Sequence, residues 1–240
     1  MILHLARITL SLPRLFAWGG GRGLATPEGD SGYLVHCVLR RALGPDGPQP
    51  FAVDPDGAPA DGSTMRVYGY TGADAARLRA ALGAAADRAA AAAVLALEAR
   101  AMPAHWPTGR LLRFATRVCP VLRQDREGRR EKSRETDAFL VAAGGMSPDE
   151  RPLRREEVYR RWLARQLARD GAAELLEARL VAYRRVRLRH GASRRTMTKP
   201  DARFEGLLAV RDGAAFHELL ARGIGRHRVF GFGMLLLRAS

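Results

Sequence analysis

Residues 223–233 read Gly223-Ile224-Gly225-Arg226-His227-Arg228-Val229-Phe230-Gly231-Phe232-Gly233, two Gly-apolar-Gly triplets separated by five residues. A helical pattern over 212–222 precedes them, with Asp212 as N-cap, and an apolar strand pattern over 234–238 follows. Glycine lets the backbone take conformations closed to residues with a β-carbon, and it lets a second backbone, of protein or RNA, come close. With Arg226, His227 and Arg228 at its centre, such a loop offers N–H groups and cations to phosphates. No Gly-Lys-Ser/Thr follows, which excludes a Walker loop. The stretch comes after a helix instead of opening one, which excludes a dinucleotide fingerprint. Taken alone, the pattern also fits a glycine-rich turn that closes a sheet.

Working back from the loop, strands are expected within 204–210 and 176–188. Residues 154–170 form an amphipathic helix with Val158, Trp162, Leu163 and Leu167 on one face, and 110–123 is a strand with Pro120 near its end. The charged stretch 124–135 reads as a loop or hairpin tip. The first half gives a cleaner series. A strand covers 2–10, and a helix covers 31–43 with Ser31 as N-cap and Gly44-Pro45 as its stop. Short strands follow over 49–53 and 64–70, then a helix over 71–87 and a strand over 94–101. Residues 11–30, rich in Gly and Pro, read as loop. The order β-α-β-β-α-β is the ferredoxin-like unit. The expected class is therefore α+β, two tandem ferredoxin-like (RRM-like) domains with antiparallel sheets. Residues 1–105 form the first domain and 106–240 the second, with Pro103 and Pro107 breaking the pattern at the junction.

The 240 residues suit two domains of roughly 100 residues each. The net charge is +15 and the isoelectric point near 11.2, so the surface attracts polyanions, nucleic acid first among them. Only Lys132 and Lys199 are lysines, which reflects a preference for Arg; that preference does not explain an excess of 40 basic over 25 acidic residues. Two cysteines, Cys37 and Cys119, make neither a disulfide framework nor a metal quartet. Residues 1–12 lack the pattern of a signal peptide, and no window reaches the roughly 18 apolar residues of a membrane span. A soluble, cytoplasmic protein with no membrane partner is expected. His4 reads as structural and His217 as a surface residue, and His105, His190 and His217 have no partner at metal-ligand spacing.

The run Phe204-Glu205-Gly206-Leu207-Leu208, then a short helix, then the glycine loop resembles the end of the repeat-associated RNA-binding family of CRISPR proteins. Further features resemble the CasE branch of that family, the endoribonuclease subunit of type I-E Cascade. They are the opening strand ending Arg7-Ile8-Thr9-Leu10, the helix with Tyr33 and His36 near its start, the Pro50-Phe51 strand, and Arg113-Phe114-Ala115-Thr116-Arg117 with Pro120. The sequence departs from the family pattern at Val118-Cys119, where an Ala-Asn pair is more usual.

The resemblance implies cleavage of precursor CRISPR RNA within its hairpin repeats. The RNA's own 2′-hydroxyl attacks the neighbouring phosphate, leaving a cyclic phosphate and a 5′-hydroxyl. No metal, cofactor or small-molecule ligand is implied. The partners are the precursor hairpin, the mature crRNA and the other Cascade subunits. The chemistry needs a base, an acid and positive charge for the crowded phosphorane. His36 is the expected acid or base, since imidazole titrates near pH 6.5. Tyr33, one helical turn earlier, shares its face and can orient phosphate or ribose. Lys199 is the favoured phosphorane stabiliser, with Arg194 and Arg195 as alternatives on the same basic segment. The stem-binding element is the arginine-rich stretch carrying Arg123, Arg126, Arg129, Arg130, Lys132 and Arg134, because RNA stems are recognised mostly through shape and phosphates. Gly223, Gly225, Arg226, Arg228, Gly231 and Gly233 complete the expected RNA contacts. His227 is expected to touch RNA without taking part in the chemistry.

A competing reading is a non-catalytic RRM-like RNA-binding or scaffold protein of the same fold. Aromatic residues at paired central-strand positions would favour it, and aromatics make up only 7% of the chain.

Overall fold

The computed structural model describes residues 2–24, 30–54, 62–124, 134–144, 154–189 and 196–239. Its elements in chain order are β1 (His4–Ser11), α1 (Leu12–Gly20), α2 (Gly32–Leu43), β2 (Phe51–Val53), β3 (Thr64–Thr71), α3 (Ala75–Gly83), α4 (Arg88–Ala92) and β4 (Val94–Ala101). There follow β5 (Leu111–Val118), β6 (Val121–Gln124), β7 (Arg134–Asp137), α5 (Ala138–Ala143), α6 (Arg155–Leu167), β8 (Ala173–Arg189), β9 (Thr196–Val210), α7 (Gly213–Arg222) and β10 (Leu235–Ala239).

Two four-stranded sheets form, ordered β2-β3-β1-β4 and β10-β5-β9-β8, and every pairing is antiparallel. The two orders are one topology used twice. In each sheet the first strand in the chain lies inside, between the third and the fourth, and the second strand takes an edge. This is the expected pair of ferredoxin-like units.

Alternation decides which face of each strand is buried. In β1, Ala6, Ile8 and Leu10 are buried and meet Val35, Val38 and Leu39 of α2 in the first core. In the second unit, Phe114 of β5 and Phe204 of β9 lie beneath Trp162 and Leu163 of α6 and Phe216 of α7. That core also takes in Leu3 and Tyr70 of the first unit, and the Tyr70 hydroxyl donates to the Leu235 carbonyl at 2.8 Å. A third cluster of Cys119, Val121, Val186, Leu188, Phe230 and Phe232 lies under the glycine loop, with Tyr33 of α2 packed against it. The two units therefore share apolar surface in two places.

The structure corrects the sequence reading in several places. Residues 11–30 are not all loop, because α1 forms where Ser11 Oγ accepts from the Arg14 N–H and Pro13 sits in the first turn. Leu15 and Trp18 bury one face of α1, and its glycines end the helix without preventing it. The helix expected over 71–87 is two helices. Thr71 belongs to β3, and its hydroxyl donates to the Asp46 carbonyl. Asp74 and Asp87 cap α3 and α4, each through a carboxylate oxygen that accepts from the N–H three residues on. At α2, Asp30 and not Ser31 accepts from the first helical N–H. The strand expected over 110–123 breaks at Cys119-Pro120 into β5 and β6. His217 is half-buried, with its Nδ1 buried and unpartnered among the described residues. Among those residues no helix is long and apolar enough to cross a membrane.

Candidate phosphate-binding and catalytic site

The glycine loop owes its shape to its backbone. All four of its glycines lie at positive φ, from 69° at Gly225 to 85° at Gly233. A β-carbon on Gly233 would lie 2.1 Å from the Ile224 carbonyl oxygen, and one on Gly225 would lie 2.8 Å from the Trp162 ring. The close approach that glycine permits is thus to the protein itself. Hydrogen bonds seal the turn: Ile224 N–H donates to the Gly233 carbonyl at 2.8 Å, Gly231 N–H to Arg228 at 3.0 Å and Gly233 N–H to Arg117 at 2.7 Å. The N–H groups of Gly231 and Gly233, two of those expected to face phosphate, are used inside the fold.

His227 is the loop's non-glycine residue at positive φ, 63°. That conformation costs a residue with a β-carbon roughly 1–2 kcal/mol, so a contact elsewhere must hold it. The contact is Glu135 of β7, whose Oε2 lies 2.7 Å from His227 Nε2. The same oxygen accepts from Lys199 Nζ of β9 at 2.8 Å, and Oε1 lies 2.5 Å from Arg226 Nε. Glu135, Lys199 and His227 keep only 17%, 11% and 11% of their side-chain surface exposed. The His227 hydrogen bond and then the Lys199 ammonium outweigh burial and hold the Glu135 carboxyl well below the usual carboxylate range.

The loop reaches α2 through Phe230. The Tyr33 and Phe230 rings lie 5.4 Å apart between centroids, and the His227 and Phe230 rings 6.1 Å. Tyr33 and His36 are 6.1 Å apart, as one helical turn dictates. Both are half-buried on α2, while Leu34, Val35, Val38 and Leu39 are buried, so the pair sits at the border of the core and not within it. The series His36, Tyr33, Phe230, His227, Glu135, Lys199 is continuous in space although it comes from four segments of chain.

Beside it opens a groove of about 650 Å³, lined among others by Arg123, Arg169, Arg226, His227 and Arg228. The structure thus brings Arg123, Arg226 and Arg228 to one opening. Arg134 opens β7 and pairs with Gln124 of β6 in an antiparallel ladder. Arg126, Arg129, Arg130, Lys132, Arg194 and Arg195 lie outside the described residues. The far end of β7 is fixed. Asp137 accepts from the Phe139 N–H at 2.8 Å and from the Tyr159 hydroxyl at 2.8 Å, and pairs with Arg155 at 3.2 Å.

A second ionic cluster underlies the loop. The Arg117 guanidinium donates from Nε and Nη2 to the two oxygens of Asp201, at 2.9 Å each, and from Nη2 to Asp30. It also covers the Phe232 ring at 4.1 Å and reaches the Phe230 carbonyl at 3.3 Å. Arg184 of β8 pairs with Asp201 at 2.9 Å. Burial opposes ionisation at Asp201, but Arg117 and Arg184 outweigh it and lower its pKa.

Glu135, His227 as an ionic partner, Asp30 and Asp201 were not singled out from sequence as members of this site. Their partners lie far along the chain, 92 residues from Glu135 to His227 and 84 from Arg117 to Asp201. No local spacing signals them. A histidine in a run of positive-φ positions was the one available hint.

Fold and site together define a double ferredoxin-like protein with an arginine-lined groove beside the glycine loop of its second unit. The model of the CRISPR associated protein family matches residues 3–239, and the chain belongs to that family. Comparison with curated protein sequences finds no match. Among solved structures, the chain is similar to Thermus thermophilus Cse3 bound to an RNA representing a pre-cleavage complex, at 19% identity and TM-score 0.62, covering 99% of this chain and 100% of that one. It is similar to the CRISPR-associated protein Cas6e from Escherichia coli str. K-12, at 18% identity and TM-score 0.58, again over 99% and 100%. It is also similar to a chain of a CRISPR RNA-guided surveillance complex, at 16% identity and TM-score 0.59, over 99% and 100%.

Proposed function

We propose that the chain is a CRISPR RNA endoribonuclease. It cuts precursor CRISPR RNA within its hairpin repeats and then stays on the 3′ hairpin as a Cascade subunit. Family membership and the likeness to Cse3 bound to a pre-cleavage RNA support this reading. The likeness to a chain of a surveillance complex supports the second role. The observation that carries the catalytic part is the junction of α2 with the glycine loop. There the imidazole of His36 and the phenol of Tyr33 connect through the rings of Phe230 and His227 to Glu135, which pairs with Lys199 and Arg226.

In this reading a base takes the proton of the 2′-hydroxyl, and the freed oxygen attacks the adjacent phosphorus. The bond from phosphorus to the 5′ oxygen breaks, and an acid returns a proton to that oxygen. His36 serves one of these proton transfers, Tyr33 orients the phosphate or ribose, and Lys199 neutralises the phosphorane. The products are a 2′,3′-cyclic phosphate and a 5′-hydroxyl, and the scheme needs no metal. Arg123, Arg226 and Arg228 hold flanking phosphates along the groove. Gly223, Gly225, Gly231 and Gly233 act mainly by shaping the loop. The RRM-like alternative would read RNA with aromatic side chains on the sheet, but Phe114 and Phe204 of the central strands are buried under α6 and α7.

The test is cleavage of the cognate repeat RNA in excess EDTA by the wild type and by His36→Ala. The proposal expects metal-free cutting that the substitution abolishes while binding persists, and a cyclic phosphate on the product. Binding without cutting by the wild type would move the assignment to the scaffold reading.

A further inference from the structure

Glu135 stands among basic side chains from two segments. Its two oxygens take Lys199 of β9 and both Arg226 and His227 of the glycine loop, at 2.8, 2.5 and 2.7 Å. Glu135 itself lies on β7, one residue beyond Arg134. The rest of β7 is clamped by Asp137 through Tyr159 and Arg155. A carboxylate so placed does two things that a neutral residue cannot. It holds the Lys199 and Arg226 charges together against their mutual repulsion, and it ties their positions and that of His227 to β7.

We propose that Glu135 is the positioning residue of the cleavage site, fixing Lys199 and His227 relative to the glycine loop and to β7. This rests on the endoribonuclease reading above. Glu135 does not touch the reacting atoms; it acts through Lys199, whose ammonium must stay at the scissile phosphate. The left-handed backbone of His227 belongs to the same device. The Nε2 contact to Glu135 holds the loop in a conformation that histidine alone disfavours.

A different role for the same contact would be a stand-in: the carboxylate occupies the phosphate position and leaves when RNA arrives. The two roles predict opposite results. A positioning carboxylate speeds cleavage, whereas a stand-in slows it and weakens binding.

The experiment is single-turnover cleavage of the hairpin repeat in EDTA, with the dissociation constant measured on an RNA lacking the attacking 2′-hydroxyl. The proteins are wild type, Glu135→Gln, Glu135→Asp, Lys199→Ala and the double variant Glu135→Gln/Lys199→Ala. The Gln variant is expected to cut about 100-fold more slowly, the scale of a displacement near 1 Å at a reacting centre, with its dissociation constant little changed. The Asp variant keeps the charge and recovers part of the rate. In the Lys199→Ala background the Gln substitution costs little more, because coupled residues are not additive. Thermal melts of each variant separate loss of fold from loss of rate, and Asp carries the test if Gln is destabilised.

A Gln variant that cuts as fast as wild type, or binds tighter and cuts faster, overturns the proposal. So does strict additivity with Lys199→Ala. A wild type that binds but does not cut sinks the enzyme reading, and this inference with it. A cutting wild type unaffected by Glu135→Gln sinks the positioning role alone.

Discussion

The carbonyl oxygen of Phe230 fills the place that a β-carbon on Gly32 would take, 2.1 Å from it. This approach seats the first turn of α2 directly on the glycine loop. It brings Tyr33, one residue on, against the Phe230 ring. The joint between the two units is therefore a backbone contact that tolerates no side chain, and the expected catalytic helix is placed by it.

Gly32→Ala should push α2 off the loop by an ångström or more. Such a shift costs on the order of 100-fold in rate. Binding should suffer less, because the groove arginines belong to the second unit and its loop. Single-turnover cleavage set against the dissociation constant checks this. Equal losses in both would mean that α2 contributes to grip and not to chemistry.

The cluster beneath the loop gives a stability prediction. Arg117 is 12% exposed and its partner Asp201 2% exposed. Removing the cation by Arg117→Met takes the buried partner from Asp201 and Asp30, leaves them only the largely exposed Arg184, and should cost about 3–5 kcal/mol. Arg184 pairs with the same Asp201, but its side chain is 61% exposed. Arg184→Met should cost under about 1 kcal/mol. Urea unfolding of the two variants measures the difference, and similar losses would contradict the burial argument.

How much of this was legible beforehand follows the range of each interaction. The paired Gly-apolar-Gly pattern, the i, i+3 spacing of Tyr33 and His36, and the Asp212 cap are local, and each reappears in the structure. Both sheets followed from alternation and turn signals. Helix α1 is hidden in the sequence because the glycines after Trp18 look like loop chemistry, whereas they only end the helix. The break at Cys119-Pro120 was missed because its cause is tertiary: the next strand, β6, leaves the sheet to pair with β7. Glu135 lay in a run of charges that gives no hint which acid turns inward. Only the folding together of β7, β9 and the loop selects it.

Binding should be tight and steeply salt-dependent, with turnover close to one, because the groove is lined by arginines. Each cation that neutralises a phosphate contributes about 0.9 to the slope of log affinity against log salt. Arg226→Ala and Arg123→Ala should each lower that slope by about one and weaken binding to all RNA hairpins alike. Titrations over a range of salt concentrations check it. An unchanged slope would remove the residue from the phosphate path, and rapid multiple turnover would contradict retention of the hairpin.

Acid should undo the site through Glu135. Its folded pKa is depressed, chiefly by the His227 hydrogen bond and then by Lys199, against the opposing effect of burial. A group lowered on folding stabilises the protein fully above its unfolded-state value, about 4.3 for Glu. That stability is lost as pH falls from there through the folded value, because the unfolded chain takes up the proton first. Asp201 is lowered as well and adds a second contribution of the same sign. Wild type should therefore lose stability between pH about 5 and about 3 more steeply than Glu135→Gln. The excess slope approaches one proton, about 1.4 kcal/mol per pH unit. Urea midpoints across that window measure it directly. Near neutral pH the Gln variant should be the less stable of the two, and on acidification the gap should close. A gap that stays constant with pH would mean that the Glu135 charge contributes nothing to the folded state, and that Lys199, Arg226 and His227 are held by their own segments.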